Sequence, residues 1–185
     1  MRRIHGLGRL TALGAAVGVL VSLAPGSATA APYCGQVWGS LPESGGTDMS
    51  VATIDDVRVG RHACFDRMVV DLDGDVAGWS VRYVPVVRSD GSGFPVPVRG
   101  AADLEVVVRA PSYDASGRTT WTARDRREAA DVRGFSTFRQ VAQAGSFEGM
   151  TTVALGVRAR LPFRAFTLDG PGSGSRLVID VGHRW

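Results

Sequence analysis

A six-residue pattern in the middle of the chain recurs near its C-terminal end, and this repeat constrains the fold more than any other feature. The first copy, residues 67–72, reads RMVVDL, and the second, residues 176–181, reads RLVIDV. Both are rich in β-branched residues, so each is predicted to form a strand. Because side chains alternate across a strand, one face of each copy is apolar and is predicted to point into a core. These apolar residues are Met68, Val70 and Leu72 in the first copy and Leu177, Ile179 and Val181 in the second.

Strand signals continue along most of the chain, and no long segment shows a clean helical stripe of apolar residues. Short β-rich segments alternate with turns rich in glycine. This pattern predicts an all-β protein, a β-sandwich of two small sheets, and the repeat suggests that it is built from two similar halves. Residues 79–84 and 94–98 are predicted to form a long hairpin at a sheet edge, because Pro95 and Pro97 cannot donate to a ladder.

Residues 1–30 are predicted to be a signal peptide that is removed on export. Three arginines lie within the first nine residues, residues 10–23 are largely apolar, and Ala28-Thr29-Ala30 is a cleavage pattern. The apolar run is too short to span a bilayer, so no integral membrane anchor is expected after cleavage. The mature chain is therefore expected to be secreted or held at the cell envelope.

The charge balance excludes a nucleic-acid-binding protein. The whole chain has a formal net charge of +3, from 21 Lys+Arg and 18 Asp+Glu residues. Three of the basic residues and none of the acidic ones lie before residue 31, so the mature chain has 18 of each and no net charge. Binding to a phosphate backbone requires a concentrated basic surface. Every basic residue is an arginine, which together with abundant Ala, Gly and Val is typical of actinobacterial coding.

The mature chain is predicted to consist of a flexible N-terminal segment, residues 31–50, and one domain over residues 51–185. Its only cysteines are Cys34 and Cys64. An even pair in an exported protein is most simply a disulfide, which would pin the flexible segment onto the first strand. The alternative is a free reactive thiol or a metal ligand.

The polar faces of the two repeats carry two arginines and two aspartates. If the strands are antiparallel neighbours with Val69 opposite Val178, each arginine falls opposite the aspartate of the other strand, close enough for both pairs to form salt bridges. If the strands lie in different sheets, the four residues form two separate patches. Two interpretations are open: a solvated ladder of ion pairs, or a polar groove that binds a ligand such as a sugar or a peptide. The four candidate ligand-binding residues are Arg67, Asp71, Arg176 and Asp180.

The sequence contains no motif that assigns a catalytic or metal site. The patterns H-E-x-x-H, G-x-S-x-G and C-x-x-C are all absent. Asp71-x-Asp73-x-Asp75 has the opening spacing of a calcium loop, but the glycine and the closing glutamate of such a loop are missing. No catalytic residue, metal or cofactor is therefore predicted. The enzymatic alternative is a small exported hydrolase that uses His62 or His183 with a carboxylate.

Several short motifs together resemble a known family. They are Tyr33-Cys34-Gly35 with Trp38-Gly39-Ser40, Gly60-Arg61-His62-x-Cys64-Phe65-Asp66-Arg67, Gly145-Ser146-Phe147-Glu148-Gly149 and Leu161-Pro162-Phe163-Arg164-x-Phe166. With the two repeats and Val57-Arg58-Val59, this set resembles the AMIN-like domain of exported actinobacterial proteins, which is related to the AMIN domain of cell-wall amidases. The resemblance covers essentially the whole mature chain.

The resemblance implies a non-catalytic sandwich that binds at the cell envelope. By analogy with AMIN domains, the implied ligand is peptidoglycan. AMIN domains accompany amidases and secretins, whereas this chain is expected to stand without such a domain, and it adds a cysteine pair and a long insertion. The implied partner is a cell-wall glycan or peptide or an envelope protein. The alternatives are the hydrolase and a module that docks on another protein by its proline-rich edge. The shared motifs are mainly strand core, so no ligand contacts are implied.

Overall fold

The computed structural model describes residues 33–170 and 172–185, and the predicted signal peptide lies outside the described residues. The described residues form eleven β-strands and no helix, so they contain no helix that could cross a membrane. The strands are β1 (Glu43–Thr47), β2 (Ile54–Arg61), β3 (Phe65–Leu72), β4 (Gly78–Val84), β5 (Val87–Arg88), β6 (Pro95–Val96), β7 (Ala102–Val108), β8 (Phe138–Phe147), β9 (Met150–Val157), β10 (Phe163–Asp169) and β11 (Ser175–Gly182).

Nine of these strands form two antiparallel sheets that pack against each other. The five-stranded sheet has the order β1-β4-β7-β9-β8, and the four-stranded sheet has the order β10-β11-β3-β2. One buried apolar cluster takes side chains from both sheets, such as Met68 and Ile179 from the four-stranded sheet and Leu104 and Leu155 from the five-stranded sheet. The predicted all-β sandwich of two small sheets is therefore confirmed.

The two repeated segments form β3 and β11, the central strands of the four-stranded sheet. They pair antiparallel with Val69 opposite Val178, which is the first of the two arrangements that the sequence left open. Each central strand is flanked by the strand that precedes it in the chain, β2 beside β3 and β10 beside β11. The two similar halves are therefore two antiparallel pairs within one sheet. The six predicted core residues of the repeats are all buried.

The long hairpin predicted over residues 79–98 is wrong in its extent. Residues 79–84 belong to β4, which pairs with β1 and β7 inside the five-stranded sheet. The hairpin itself is reduced to the two-residue strands β5 and β6, which form a separate ribbon. Pro95 and Pro97 lack the amide hydrogen that a longer ladder requires.

The segment predicted to be flexible, residues 31–50, contributes a strand. Its β1 pairs with β4 at the edge of the five-stranded sheet. Gly45 lies directly over the indole of Trp79, where a Cβ atom would be 2.6 Å from Nε1. Glycine at this position therefore permits close packing, rather than only adding flexibility.

The polar segment that precedes β8, residues 112–137, runs back along this strand and covers the outer edge of the five-stranded sheet. The main-chain N of Ala129 donates to the O of Val141 at 2.7 Å, and the N of Gln143 donates to the O of Arg126 at 2.7 Å. Because this loop satisfies main-chain groups of β8, the strand does not present an open edge to another sheet.

Candidate functional site

The outer face of the four-stranded sheet carries a row of three charged side chains, one on each of three neighbouring strands. Arg164 of β10 and Arg67 of β3 both lie opposite Asp180 of β11 in the strand register. Arg67 donates from Nε to Oδ1 of Asp180 at 2.6 Å and from Nη2 to Oδ2 at 2.8 Å. Arg164 donates from Nε to Oδ2 at 2.9 Å. We call these three residues the Arg–Asp–Arg row.

The row combines a buried anion with two partly exposed cations. The side chain of Asp180 has 0% exposed surface, whereas those of Arg67 and Arg164 are 25% and 26% exposed. Burying a carboxylate is costly unless charged donors compensate it, and here two guanidinium groups do so. The hydrogen bonds to Asp180 raise the pKa of Arg67, while its partial burial opposes the shift. The row therefore presents a net charge of +1 at the surface.

Three aromatic rings surround the two guanidinium groups. The Cζ atom of Arg164 lies 5.2 Å from the ring centre of Trp38 and 5.1 Å from that of Phe166. The ring of Phe65 lies between the arginines, with its centre 5.5 Å from Cζ of Arg164 and 5.2 Å from Cζ of Arg67. These distances are in the range of cation–π contacts. The rings and the guanidinium groups therefore form one continuous surface.

The disulfide holds an N-terminal segment, residues 33–40, beside this surface, and we call this segment the N-terminal strap. Cys34 and Cys64 are bonded, with Cα atoms 6.3 Å apart, which confirms the predicted pairing. Cys64 lies next to the start of β3, and its main-chain O accepts a hydrogen bond from the N of His183 at 2.9 Å. The covalent link therefore joins the strap to the end of the four-stranded sheet at which β3 starts, and the row lies at the same end.

The strap also contacts the row directly. Oε1 of Gln36 accepts a hydrogen bond from Nη1 of Arg164. The main-chain O of Gly39 accepts one from the N of Phe163 at 2.6 Å, so the strap extends the four-stranded sheet beyond β10. These contacts bring Trp38 over Arg164, and the strap forms one wall of the site.

The other half of the predicted ion-pair ladder does not form. Asp71 and Arg176 lie opposite each other as predicted. However, both carboxylate oxygens of Asp71 accept from Arg58 of β2, at 2.6 and 2.9 Å. Arg176 donates instead to the last main-chain oxygen of β10 at 2.6 Å. The predicted Asp71–Arg176 salt bridge is wrong because a bidentate pair with the other neighbouring strand replaces it. The Arg67–Asp180 pair of the ladder is confirmed.

One of the two histidines considered for catalysis does lie beside a carboxylate. Nε2 of His183 is 3.2 Å from Oδ1 of Asp66. Asp66 is completely buried, and its other oxygen accepts hydrogen bonds from the N and Oγ1 of Thr137 at 2.5 and 2.6 Å. A substrate cannot reach a carboxylate with no exposed surface, so this pair supports the start of β8. His62 is exposed and stacks on Phe65, with ring centres 4.6 Å apart.

The calcium-like spacing does not assemble a cation site. Asp71 is held by Arg58, and Oδ1 of Asp73 accepts a hydrogen bond from the main-chain N of Thr53 at 2.7 Å. Within residues 33–170 and 172–185, no group of three His, Cys, Asp or Glu side chains is arranged to hold a metal ion. The two aspartates therefore connect β2 and β3, Asp71 through Arg58 within β2 and Asp73 through the residue that precedes β2.

Sequence reasoning missed Arg164, Phe65 and Phe166 as parts of this surface. It considered Trp38 as a surface stacking group but favoured core or edge packing for it. Arg164 and Phe166 are two residues apart in a predicted strand, so period-two alternation already placed them on one face. The alternation does not say which other strands lie beside this face, and so it does not place Asp180 or the strap next to Arg164. The position of Trp38 depends on the path of the strap after the disulfide, and no local pattern encodes it.

Comparison with known proteins identifies the family. The model of the AMIN-like domain matches residues 52–183, which include both halves of the four-stranded sheet. No curated protein and no solved structure matches the chain. AMIN-like domains are in general non-catalytic binding modules, and the family indicates a cell-wall-associated module. The family and the disulfide together fit an extracellular or envelope protein. Since the match extends over most of its length, the chain belongs to the AMIN-like domain family.

Proposed function

We propose that this chain is a secreted, non-catalytic module that binds peptidoglycan at the cell envelope. The observation that carries the proposal is the Arg–Asp–Arg row with its three aromatic rings, partly exposed on the outer face of the four-stranded sheet. The general association of the family with cell-wall binding supports the choice of ligand.

Peptidoglycan offers two kinds of chemical group that suit this surface. Its glycan strands present sugar rings, whose apolar faces pack on aromatic side chains such as Trp38 and Phe166. Its peptides carry carboxylates, which guanidinium groups bind by charge-assisted hydrogen bonds. A guanidinium has five N–H donors, and Asp180 uses only some of those on Arg67 and Arg164. Gln36 occupies a further donor of Arg164, and the donors that neither Asp180 nor Gln36 uses are available to a ligand.

The shape of the outer face also favours a polymer over a small molecule. Val69 and Val178 lie opposite each other on this face, next to the row, and both are buried among the longer side chains around them. The centre of the face is therefore filled rather than hollow. Asp71 and Arg176 lie on the far side of this valine pair, and we include them in the proposed binding surface as its extension along the strands.

Export is a separate part of the proposal. The charged start, the apolar run and the Ala28-Thr29-Ala30 pattern support cleavage after residue 30. The disulfide is consistent with an oxidising compartment outside the cytoplasm. N-terminal sequencing of protein recovered from culture fluid and wall extracts is expected to begin near Ala31. Recovery of a membrane-bound form that still begins with Met1 would contradict this part.

Cosedimentation with purified cell walls tests the binding. We expect the unaltered protein to bind saturably, and Arg164→Gln and Trp38→Ala to weaken binding about tenfold or more, because each removes one proposed ligand contact from the surface formed by the row and its aromatic rings. The matched control is Arg118→Gln. Arg118 is 83% exposed and pairs with Asp114 in the polar loop, away from the row.

Two outcomes would overturn the proposal. One is wall binding by Arg164→Gln and Trp38→Ala that equals the binding of the unaltered protein. The other is no saturable binding by any of the proteins while their Tm values show that they are folded. A loss of binding that is equally large for Arg118→Gln would indicate nonspecific attraction between arginines and the wall, and would also count against the row.

A further inference from the structure

We propose that the chain has a second ligand site, distinct from the wall-binding surface, which takes a small monocarboxylate that carries an apolar ring. The site is a groove of about 780 Å³ between the end of the polar loop and the start of β8. This volume is typical of sites for small organic ligands. Its lining includes the apolar residues Val132, Phe135 and Phe138 and the cation Arg139.

The floor of the groove is apolar and rigid. The ring of Phe135 stacks on the ring of Phe138, with centres 5.8 Å apart and planes only 7° from parallel. Phe138 is buried in the main core, so it fixes the orientation of the partly exposed Phe135. Val132 lines the same groove and is also buried. A ligand ring placed here would meet a flat, preoriented aromatic surface.

Arg139 supplies a fixed positive charge next to this floor. Its Nη1 donates to the main-chain oxygens of Phe138 and Phe135, at 2.9 and 3.3 Å, and its Nη2 donates to that of Ser136 at 3.4 Å. Main-chain oxygens hold the guanidinium in place without neutralising it. Within the described part of the chain, no carboxylate forms a salt bridge with Arg139. The charge is therefore oriented and uncompensated.

The other charges of the groove cancel in pairs at its rim. Arg99 is paired with Glu128, and Arg133 is paired with Asp131 at 2.6 Å. Hydrogen bonds from Arg133 lower the pKa of Asp131 to about 2, so Asp131 is negative at neutral pH. With both pairs neutral, the residues that line the groove have a net charge of +1, from Arg139. A monoanion matches this charge, whereas a dianion would leave one charge facing two rim carboxylates.

The floor and the cation together define the ligand class. One carboxylate can accept charge-assisted hydrogen bonds from the unused donors of Arg139 while an attached ring packs on Phe135. Neither group contributes to the Arg–Asp–Arg row, so the two sites are expected to bind independently. The inference therefore does not depend on wall binding.

A titration of the full chain with three matched probes tests the inference. The probes are 3-phenylpropionate, its neutral amide 3-phenylpropionamide, and the dianion phenyl phosphate, followed by ¹H–¹⁵N NMR. We expect 3-phenylpropionate to bind saturably and to shift the amide signals of residues 132–139. The amide is expected to bind about tenfold more weakly, because it lacks the charge that pairs with Arg139. Phenyl phosphate is expected to bind more weakly than the carboxylate.

Arg139→Gln provides the second measurement, with Arg118→Gln as the control. The first variant is expected to remove the difference between acid and amide, and the control to retain it. If Arg139→Gln does not fold, the comparison of acid and amide on the unaltered chain decides the question. Equal binding of acid and amide, tighter binding of phenyl phosphate, shifts centred on Arg164, or no saturable binding would each overturn the inference.

Discussion

Arg67 donates two parallel hydrogen bonds to Asp180, at 2.6 and 2.8 Å, between the two central strands of the four-stranded sheet. The two residues are 113 positions apart in the chain. The carboxylate of Asp180 is fully buried, and it is shared with Arg164 on the other side. One anion therefore connects three strands, and it matters for stability as well as for the proposed binding surface.

Replacing this anion is expected to destabilise the domain strongly. Asp180→Asn leaves two guanidinium groups facing a neutral amide, and we expect a loss of about 2–4 kcal/mol in the free energy of unfolding. The value lies below that for a fully buried pair, because both arginines can turn toward water. Chemical denaturation measures the loss. The control is Asp71→Asn, because the partner of Asp71, Arg58, is half exposed. This variant is expected to lose less than about 1 kcal/mol in the free energy of unfolding. Similar losses in the two variants would contradict the role of burial.

The apolar face of the second repeat is expected to be equally sensitive. Ile179 has no exposed surface and belongs to the cluster shared by both sheets, so Ile179→Ala is expected to cost about 2–5 kcal/mol. Leu168→Ala is the matched control, because Leu168 lies on the neighbouring strand but is 40% exposed. Its expected cost is below about 1 kcal/mol. A loss near zero for Ile179→Ala would contradict the core position of β11.

Removing the disulfide is expected to lower stability and to release the strap. The bond closes a loop with a sequence separation of 30, for which the chain-entropy model gives about 3–4 kcal/mol. The double variant Cys34→Ser/Cys64→Ser is compared with the oxidised protein by denaturation. The release of Trp38 from Arg164 is expected to change the tryptophan fluorescence before the sheets unfold. A double variant with unchanged stability and fluorescence would show that the strap is held without the bond.

Asp90 is expected to make stability depend on pH in a recognisable direction. Its Oδ1 accepts a hydrogen bond from Oγ1 of Thr152 at 2.8 Å, while its Oδ2 is buried without a partner among the described residues. Burial raises the pKa of Asp90, and the hydrogen bonds from Thr152 oppose this only in part. A raised folded-state pKa means that protonated Asp90 favours folding. This contribution is complete below the unfolded-state pKa and is lost as the pH rises through the folded-state value.

Asp90→Asn is therefore expected to raise Tm at pH 7, where the unaltered residue is charged, and to lose this advantage as the pH falls toward 3. The gain is expected to remain below about 1 kcal/mol, because the side chain is only half buried and water screens its charge. Thermal melts of both proteins between pH 3 and 8 measure the difference. A variant that is less stable at pH 7, or a difference that does not change with pH, would contradict this assignment.

Much of the four-stranded sheet was predictable because short sequence patterns within its own strands determine it. Alternation with period two in the repeats determines which side chains point inward, and the repeated order of arginine and aspartate indicates the register around Val69 and Val178. The partner of Asp71 was not predictable in the same way. Two strands flank β3, and the sequence of one repeat does not say from which of them an arginine will reach the carboxylate.

The features that escaped prediction depend on the paths of loops. The glycines around Gly45 have the composition of a flexible linker, and only the nearby indole of Trp79 shows why this segment packs as a strand. The groove beside Arg139 forms because the polar loop returns along β8, which no periodicity in that loop indicates. Tertiary contacts between distant segments decide both cases, so local patterns carry no signal for them.

The order of the strands also has a consequence for how the chain folds. The first and last strand pairs of the domain must meet to form the four-stranded sheet, while most strands of the other sheet lie between them in the sequence. Pairing of β3 with β11 therefore closes a very long loop, which raises contact order and slows folding. Until β11 emerges, β3 exposes an unpaired edge to other chains. A chain truncated before residue 175 would retain that open edge permanently, and we expect such fragments to aggregate rather than to persist as smaller domains.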